Sequence, residues 1–318
     1  MKEVNYSILK DSTVLLTGGN GFLGKHVAEE LKSIGANVIA PSSTEMNLFY
    51  LDDIFQVINK HQPEYVLHMA GYNGGIQFNK ENPADIFIQN TMMGMNLHAS
   101  LKYCSNLKKC ISVVASCAWE QPKYGQIRPM NILKGYPEET VQCHGYAKRN
   151  LFLTAEFFRT QFNIPSYTAC ITTMYGPGDT FDPLRTKVMG AMIKRFCDAK
   201  KHNLQEVSCW GTGNVYRQFI YVKDAAKMLI RSLITKHTSA YPFFISASED
   251  GYDSITIREL AETISKISGY SGKILWDSTK PTGQHSKTMV ATKSLLLGEY
   301  MSLHEGIEKT IQYYKDTQ

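Results

Sequence analysis

Short apolar runs alternate with longer stretches of helical periodicity along the first half of the chain. The apolar runs lie at residues 13–17, 38–40, 65–69, 111–114 and 166–172, and each is short enough for one buried strand. The helical stretches lie between them, at residues 22–34, 52–61, 84–103 and 150–162. Strands separated by helices build parallel βαβ units, so this pattern predicts an α/β fold with a Rossmann-type, doubly wound parallel sheet.

The second half of the chain has a more mixed pattern. A loop rich in glycine and proline spans residues 175–183, and helices are predicted near 186–199 and 223–234, with short strands between them. No internal repeat, low-complexity tract or linker separates the two halves. We therefore expect a smaller, mixed α/β domain whose segments are interleaved with the first. The predicted division is a Rossmann domain over residues 1–173, to which 215–236 return, and a second domain mainly over 174–318.

Length and composition place the chain among folded globular proteins. It has 318 residues, of which 43% are hydrophobic and 20% are charged. That length is enough for one large or two modest domains. No apolar run reaches the ~18 residues needed to span a bilayer, and the first five residues lack the apolar core of a signal peptide. We therefore expect neither a membrane span nor a membrane partner.

The cysteines and the net charge indicate the cellular compartment and the kind of binding partner to expect. The seven scattered cysteines include no Cys-x-x-Cys pair, and no His/Cys cluster has zinc-site spacing. This predicts free thiols in a reducing, cytoplasmic compartment, and no metal site. The net charge of +5 is mild. It suits a partner that carries phosphates, and it is too weak and too dispersed to indicate nucleic acid.

The clearest local motif is a glycine loop at residues 17–24. It has the form G-x-x-G-x-x-G, follows a predicted strand and opens a predicted helix. Glycines allow the backbone to turn tightly and to approach a pyrophosphate, whose charge is favoured at a helix N-terminus. The alternative is a tight turn without a ligand, but the strand–loop–helix placement favours binding of a dinucleotide cofactor.

The choice between NAD and NADP rests on the end of the second strand. An acidic residue there binds the ribose hydroxyls of NAD, and an arginine binds the 2′-phosphate of NADP. This chain has neither in residues 40–44, where Ser42 and Ser43 supply hydroxyls. Because no carboxylate in that stretch would repel a phosphate, the sequence favours NADP slightly and leaves NAD open.

Further segments in both halves carry a family resemblance. They are residues 45–48, 74–76, 83–85, 89–90, 116–117, 175–181, 210–219, 279–283 and 306–313. With the glycine loop and the Ala-Lys pair at 147–148, they make the chain similar, over nearly its whole length, to the GDP-L-fucose synthase family. That family belongs to the extended short-chain dehydrogenase/reductase superfamily and acts on GDP-4-keto-6-deoxymannose as an epimerase-reductase. The resemblance implies an NAD(P)-dependent enzyme whose second domain binds a nucleotide sugar, with GDP as the expected nucleotide.

The resemblance also implies a binding shell for each ligand. It assigns the nucleoside diphosphate to Arg195 and Arg217 beside Trp210, with Thr173 and Lys280 as further substrate contacts. An arginine fork suits phosphate oxygens, and an indole face suits a sugar or a base. The alternatives are that Arg195 is only a surface charge and that Trp210 is a core residue. The candidate cofactor-binding residues are Gly18, Asn20, Gly21, Phe22, Leu23, Gly24, Ser42, Ser43, Asn47, Leu48, Ala70 and Lys148.

The catalytic positions depart from the family pattern. Where the family has a serine, a tyrosine, a histidine and an asparagine, this chain has Ala115, His144, Lys187 and Thr173, respectively. The family's lysine and cysteine are retained as Lys148 and Cys117.

His144 takes the place of the family's proton-donating tyrosine. It stands four residues before Lys148, on the same helix face, whereas Tyr146 stands two residues before it and points elsewhere. Imidazole titrates near neutrality, so His144 could still donate a proton to the C4 oxygen of the sugar. The alternative is a helix cap or a surface residue. By the resemblance, Lys148 also binds the nicotinamide ribose.

The other changes affect the reacting oxygen and the epimerisation step. Ala115 removes a hydrogen bond to the oxygen, a loss that costs about two orders of magnitude in rate in comparable sites. Ser116 could replace that bond only if the substrate sits differently. Cys117 could be the base at the carbon next to the ketone, and Lys187 the acid towards the enolate. A cysteine after a buried strand can also be a small core residue.

Three functions remain open at this point. The first is an NAD(P)-dependent epimerase/reductase acting on a GDP-linked 4-keto sugar, with an atypical proton-transfer site. The second is a dehydratase, a dehydrogenase or an epimerase with no net redox change on the same scaffold. The third is an inactive homologue that binds a nucleotide sugar. The resemblance further implies a homodimer, formed through the helices at 84–103 and 150–162.

Overall fold

The computed structural model describes residues 5–120, 126–237, 239–280 and 286–317. Residues 1–4, which contribute to the signal-peptide argument, and Pro281 and Gly283 of the 279–283 segment lie outside the described residues. The strands are β1 (Thr13–Thr17), β2 (Asn37–Ile39), β3 (Tyr65–His68), β4 (Lys109–Ala115), β5 (Ser166–Ile171), β6 (Thr173–Tyr175), β7 (Glu206–Trp210), β8 (Tyr216–Arg217), β9 (Phe219–Tyr221), β10 (Phe243–Ile245), β11 (Ile255–Thr256), β12 (Lys273–Asp277) and β13 (Ser286–Lys287). The helices are α1 (Phe22–Ile34), α2 (Leu51–His61), α3 (Ile76–Glu81), α4 (Pro83–Leu101), α5 (Gln142–Phe162), α6 (Val188–Lys201), α7 (Val222–Ile234), α8 (Ile257–Ser268) and α9 (Leu303–Thr317).

Six parallel strands form the central sheet, in the order β10-β5-β4-β3-β1-β2. The predicted Rossmann-type sheet with flanking helices is therefore confirmed. The chain runs outward from β1 to β2 and then returns to the other side of β1 with β3, so the strand order reverses between β1 and β3. In open α/β sheets, ligands bind outside the carboxyl ends of the strands at such a reversal.

Helices cover both faces of this sheet because strand side chains alternate in direction. Leu16 packs in a cluster with α1 and α7, whereas its neighbour Leu15 packs in a cluster with α2 and α4. On α1 the buried residues Leu23, Val27 and Leu31 recur every four residues, which places them on one helix face. The sheet and the start of α1 therefore form one rigid support for the loop between them.

The later part of the chain supplies a second core. It is built from α6, α8 and α9 with the parallel pair β7–β12, and its buried side chains form a separate cluster. Two elements of the second half are part of the first core instead. Helix α7 packs against α1, and strand β10 pairs with β5 at the edge of the large sheet. The domain boundaries at 173 and 174, and the return of 215–236, stay predictions.

Two findings concern the described chain as a whole. None of the described helices is both long and apolar enough to cross a bilayer. None of the seven cysteines forms a disulfide bond, and five of them are buried.

Candidate active site

The glycine loop between β1 and α1 has no room for a side chain at Gly18, Gly19 or Gly24. Gly18 has a φ of +72°, and a Cβ built on it would lie 2.7 Å from the backbone nitrogen of Ala70. A Cβ built on Gly24 would overlap the carbonyl oxygen of Gly18. The Ala70 nitrogen also lies 3.4 Å from the Thr17 hydroxyl, which fastens the loop after β3 to the end of β1. We call Gly18, Gly21, Gly24 and Ala70 the glycine cradle.

The glycine cradle ends at a helix N-terminus that is open to an anion. Helix α1 begins at Phe22, and its N-cap residue Gly21 makes no side-chain capping bond. Asn20 and Gly21 are exposed, whereas Leu23 is buried in the core below them. Unpaired N–H groups at a helix start suit the pyrophosphate of a dinucleotide. The cradle thus fits NAD or NADP.

A carboxylate follows directly after residues 40–44 in the loop after β2. Glu45 accepts hydrogen bonds from the backbone nitrogen of Ser42 at 2.7 Å and from its hydroxyl at 2.8 Å. These bonds hold the pKa of Glu45 below its ordinary value. Residues 40–44 contain no carboxylate, but the chain turns back and brings Glu45, the next residue, to Ser42. The exposed Ser43 and the bonded Ser42 therefore give no preference for the 2′-phosphate.

Asn47 and Leu48 follow this loop and are held by the protein itself. The Asn47 side chain accepts a hydrogen bond from the Phe49 nitrogen at 3.0 Å. The Leu48 side chain is buried in the core cluster below α2 and α4. Their assignment to the cofactor stays a prediction.

Lys148 lies beside the glycine cradle. Its side chain is buried, and its Nζ donates a hydrogen bond to the Val113 carbonyl at 3.1 Å. A Cβ built on Gly71, next to Ala70, would lie 3.8 Å from the same Nζ. Burial lowers the pKa of Lys148 from 10.5 to about 8, and the nearby Cys117 acts in the opposite direction. Lys148 therefore lies between the cradle and the carboxyl end of β4.

Cys117 and His144 are in direct contact. The Cys117 Sγ lies 3.4 Å from the His144 Nδ1. Cys117 stands in the short 3-10 turn Ser116–Ala118 after β4, and His144 in the first turn of α5. The two segments approach closely because residue 145 is glycine: a Cβ there would lie 2.5 Å from the Cys117 carbonyl oxygen. Cys117, His144 and Lys148 form what we call the proton-transfer group.

Tyr146 lies on a different side of α5. It lines a groove between α3, α4 and the start of α5, together with Asn79 and Cys143. The Arg149 guanidinium carbon stands 5.6 Å from the centre of its ring. His144 is buried against Cys117 instead, so the structure separates the two side chains as helix geometry requires.

The remaining catalytic candidates lie at the edges of this group. Ala115 and Ser116 are half-buried and directly precede Cys117. Lys187 is exposed at the N-cap of α6, and its charge acts on Asp179, whose pKa burial raises. The roles of Ser116 and Lys187 stay predictions.

Three of the substrate candidates gather at the end of the β7–β12 pair. Trp210 is 58% exposed, which excludes a core role, and it pairs with Asp277 across the two strands. Lys280 stands in the turn after β12, where its backbone nitrogen donates a hydrogen bond to the Asp277 carbonyl. Arg195 donates to the Ser208 carbonyl at 2.7 Å, two residues before Trp210. A cationic, aromatic surface results.

Arg217 and Thr173 lie on strands of two different small sheets. Arg217 is half-buried on β8, its Nη1 donates to the Tyr216 carbonyl at 2.7 Å, and burial lowers its pKa. Thr173 opens β6, which pairs with β9 just after β8. A guanidinium withdrawn from water gains much from an anionic partner, so Arg217 is a stronger candidate than Arg195 for binding the diphosphate.

Two positioning residues escaped the sequence analysis. Asn90, deep in α4, bonds both the nitrogen and the carbonyl of Tyr72, at 3.1 and 2.7 Å, and so fixes the loop that carries Ala70. Gly145 permits the approach of α5 to Cys117. Asn90 lies in a segment of the family resemblance, which was the available signal, whereas Gly145 had none. Among the described residues, no three His, Cys, Asp or Glu side chains are placed to hold a metal ion.

A glycine cradle at a sheet reversal, with a buried lysine beside it, defines the class of NAD(P)-binding Rossmann enzymes. Residues 14–241 match the NAD dependent epimerase/dehydratase family. The probable GDP-L-fucose synthase 1 of Oryza sativa subsp. japonica is 30% identical over 308 residues, which cover 96% of this chain and 92% of that protein. The GDP-L-colitose synthase of Yersinia pseudotuberculosis is 30% identical over 307 residues, which cover 95% of this chain and 97% of that protein. The solved structure of a GDP-L-fucose synthetase from Naegleria fowleri is similar with a TM-score of 0.86 at 25% identity, covering 96% of this chain and 94% of that one.

The chain therefore belongs to the NAD-dependent epimerase/dehydratase family. This confirms the resemblance inferred from the motifs, the prediction of an enzyme, and NAD or NADP as its cofactor.

Proposed function

We propose that this protein is a nucleotide-sugar epimerase/reductase that acts on a GDP-linked 4-keto sugar through an atypical proton-transfer site. The observation that carries the proposal is the meeting of Cys117, His144 and Lys148 beside the glycine cradle. The printed names of two relatives that cover almost the whole chain support the GDP-sugar class.

The chain's own residues divide the work. Arg217, Arg195, Trp210 and Lys280 bind the nucleoside diphosphate, with the cationic side chains facing the phosphates. Lys148 holds the nicotinamide ribose, and His144 faces the sugar's C4 oxygen in place of a tyrosine. When bound, NAD(P) supplies or accepts the hydride. Since Ala115 offers no hydrogen bond to the C4 oxygen, we expect reduction to be slow relative to proton transfer at the neighbouring carbons.

A second candidate function is epimerisation with no net redox change. The Cys117–His144 contact favours it, because a thiol and an imidazole can move protons without a hydride.

One assay separates these functions. Purified protein is mixed with NADPH and GDP-4-keto-6-deoxymannose, and the reduced-nicotinamide absorbance and the sugar product are followed together. Steady consumption of NADPH supports the epimerase/reductase. Turnover of the sugar without loss of NADPH supports the second candidate. Binding of an unchanged sugar contradicts both and indicates an inactive homologue.

We further propose that the protein is a cytoplasmic homodimer. The location follows from the free thiols of all seven cysteines. The dimer surface is an exposed apolar strip on α4, at Ile88, Met92 and Met95, next to Phe157 on α5. We expect Ile88→Lys to halve the mass measured by analytical ultracentrifugation, and Tyr252→Lys, at an exposed site outside the strip, to leave it unchanged. A monomeric wild-type protein would contradict the proposal.

A further inference from the structure

The Cys117–His144 contact brings together two side chains that can carry protons. One of them, His144, lies on the same helix as Lys148. The Sγ–Nδ1 distance of 3.4 Å suits a thiol hydrogen bonded to an imidazole. The two residues are far apart in sequence, and the contact exists only because α5 packs against the turn after β4 at Gly145.

Nearby charges act on both groups of the contact. Lys148 lies one helical turn from His144 and interacts with Cys117. A nearby cation disfavours an imidazolium and favours a thiolate, and a helix N-terminus acts in the same way. Both effects oppose a protonated imidazole, and we start the pair from its neutral form, in which the thiol donates to the imidazole. Nδ1 is then the acceptor, and the ring hydrogen sits on Nε2.

We propose that Cys117 and His144 act as one enolising pair on the carbon next to the keto group of the sugar. The thiol proton passes to Nδ1 as the thiolate removes the proton from that carbon. The C–H electron pair becomes the C=C bond, the carbonyl π pair goes to oxygen, and the oxygen takes the proton from Nε2. The products are an enol, a regenerated thiol and a neutral imidazole whose hydrogen now sits on Nδ1, so protons and electrons balance and no hydride is needed.

This inference rests on the proposed function, and it goes further in one respect. It gives Cys117 a partner in His144, the residue that replaces the family's proton-donating tyrosine. The pair also predicts that the hydrogen on the carbon next to the keto group exchanges with solvent, because the thiol proton equilibrates with water between turnovers. Inversion at the carbon requires a second donor on the opposite face of the sugar.

The first test measures the pair without substrate. Alkylation by iodoacetamide at pH 7 is followed for each cysteine by peptide mass spectrometry, in the wild type and in His144→Asn. Cys117 should react at least about tenfold more slowly in the variant, since the base beside the thiol is gone. Cys143, which is half-buried and faces Asn79, is the internal control and should react equally in both proteins. Equal alkylation rates at Cys117 in the wild type and in His144→Asn, with the same unfolding temperature for both proteins, would overturn the inference.

The second test measures the reaction. The cofactor-loaded protein is incubated in D2O with GDP-4-keto-6-deoxymannose and no NADPH, and deuterium at C3 and C5 is followed by NMR. Cys117→Ser and His144→Asn should each slow exchange about 100-fold or more. The double variant should be no slower than the slower single one, because the two groups act as a unit. Full exchange in either single variant, or effects that multiply, would contradict the pair.

Calorimetric titration with GDP distinguishes a failure of the enolising pair from a failure of the proposed function. Binding of GDP by the wild type without exchange overturns the enolising pair alone. Failure to bind GDP overturns the proposed function on which the pair rests.

Discussion

The glycine cradle and the proton-transfer group lie side by side, but the fold constrains them differently. The cradle is fixed by backbone contacts, since a methyl group at Gly18 or Gly24 would meet main-chain atoms. The proton-transfer group consists of side chains in the turn after β4 and at the start of α5, where we expect a different side chain in place of His144 to leave the backbone unmoved. Cofactor binding and fold are therefore coupled in this protein, whereas the reaction can change while the fold persists.

The buried lysine is the most direct stability probe of this contrast. Its pKa is about 8 in the folded protein and 10.5 as an ordinary value, so between these two pH values the unfolded chain binds more protons. The free energy of unfolding should then rise by about 3 kcal/mol from pH 8 to pH 10.5 through this group. Lys148→Met should lack that rise, and chemical denaturation of both proteins across the range checks it. Parallel pH profiles would show that Lys148 is not buried as a cation.

Reintroducing the family's side chains should raise the rate of reduction and leave the affinity for GDP unchanged. We expect Ala115→Ser with His144→Tyr to raise NADPH-dependent reduction of the keto sugar by about 100-fold, because both hydrogen bonds to the C4 oxygen return. The affinity for GDP should stay the same. Tyr146→Phe is the matched control, since that ring lies in the groove near Asn79, and it should leave the rate unchanged. A double variant with intact GDP binding and no faster reduction would contradict the assigned geometry.

A change in the cradle should act on the fold itself. Gly24→Ala places a methyl group against the Gly18 carbonyl, and we expect it to lower the free energy of unfolding by about 2 kcal/mol. Gly21→Ala is the control: its Cβ would meet one atom, at 3.2 Å, so its cost should stay below about 1 kcal/mol. Thermal unfolding of the two apo proteins measures the difference. Equal unfolding temperatures would remove the steric argument.

The smallest expected effect lies in the nucleotide shell. Arg217→Met should weaken GDP binding about tenfold, through loss of a charge-assisted hydrogen bond to phosphate. Arg159→Met removes an arginine of α5 that bonds the Ser166 carbonyl, and GDP affinity should not change. Calorimetry on the two variants tests the assignment, and equal affinities would place the diphosphate elsewhere.

The sequence predicts the cradle better than it predicts the chemistry. The bounds of β1 and α1 agree with the apolar pattern, because a short apolar run and helical periodicity are local properties of the sequence. The six-residue helix α3 carries too little periodicity to be recognised. The Glu45–Ser42 contact depends on a turn, and the Cys117–His144 contact on the packing of α5 against the turn after β4. Spacing along the chain does not report such contacts, so the resemblance located the residues and the structure paired them.

The central claim is that the binding shell is preserved while proton transfer has been rebuilt around Cys117 and His144. One experiment tests it directly: the wild-type protein, NADPH and GDP-4-keto-6-deoxymannose in D2O, with deuteration at C3 and C5 and loss of reduced nicotinamide measured in the same sample. We predict that deuteration is at least about tenfold faster than NADPH oxidation, since the site lacks the family's serine and tyrosine. Steady NADPH oxidation with no deuterium in the remaining substrate would contradict the account.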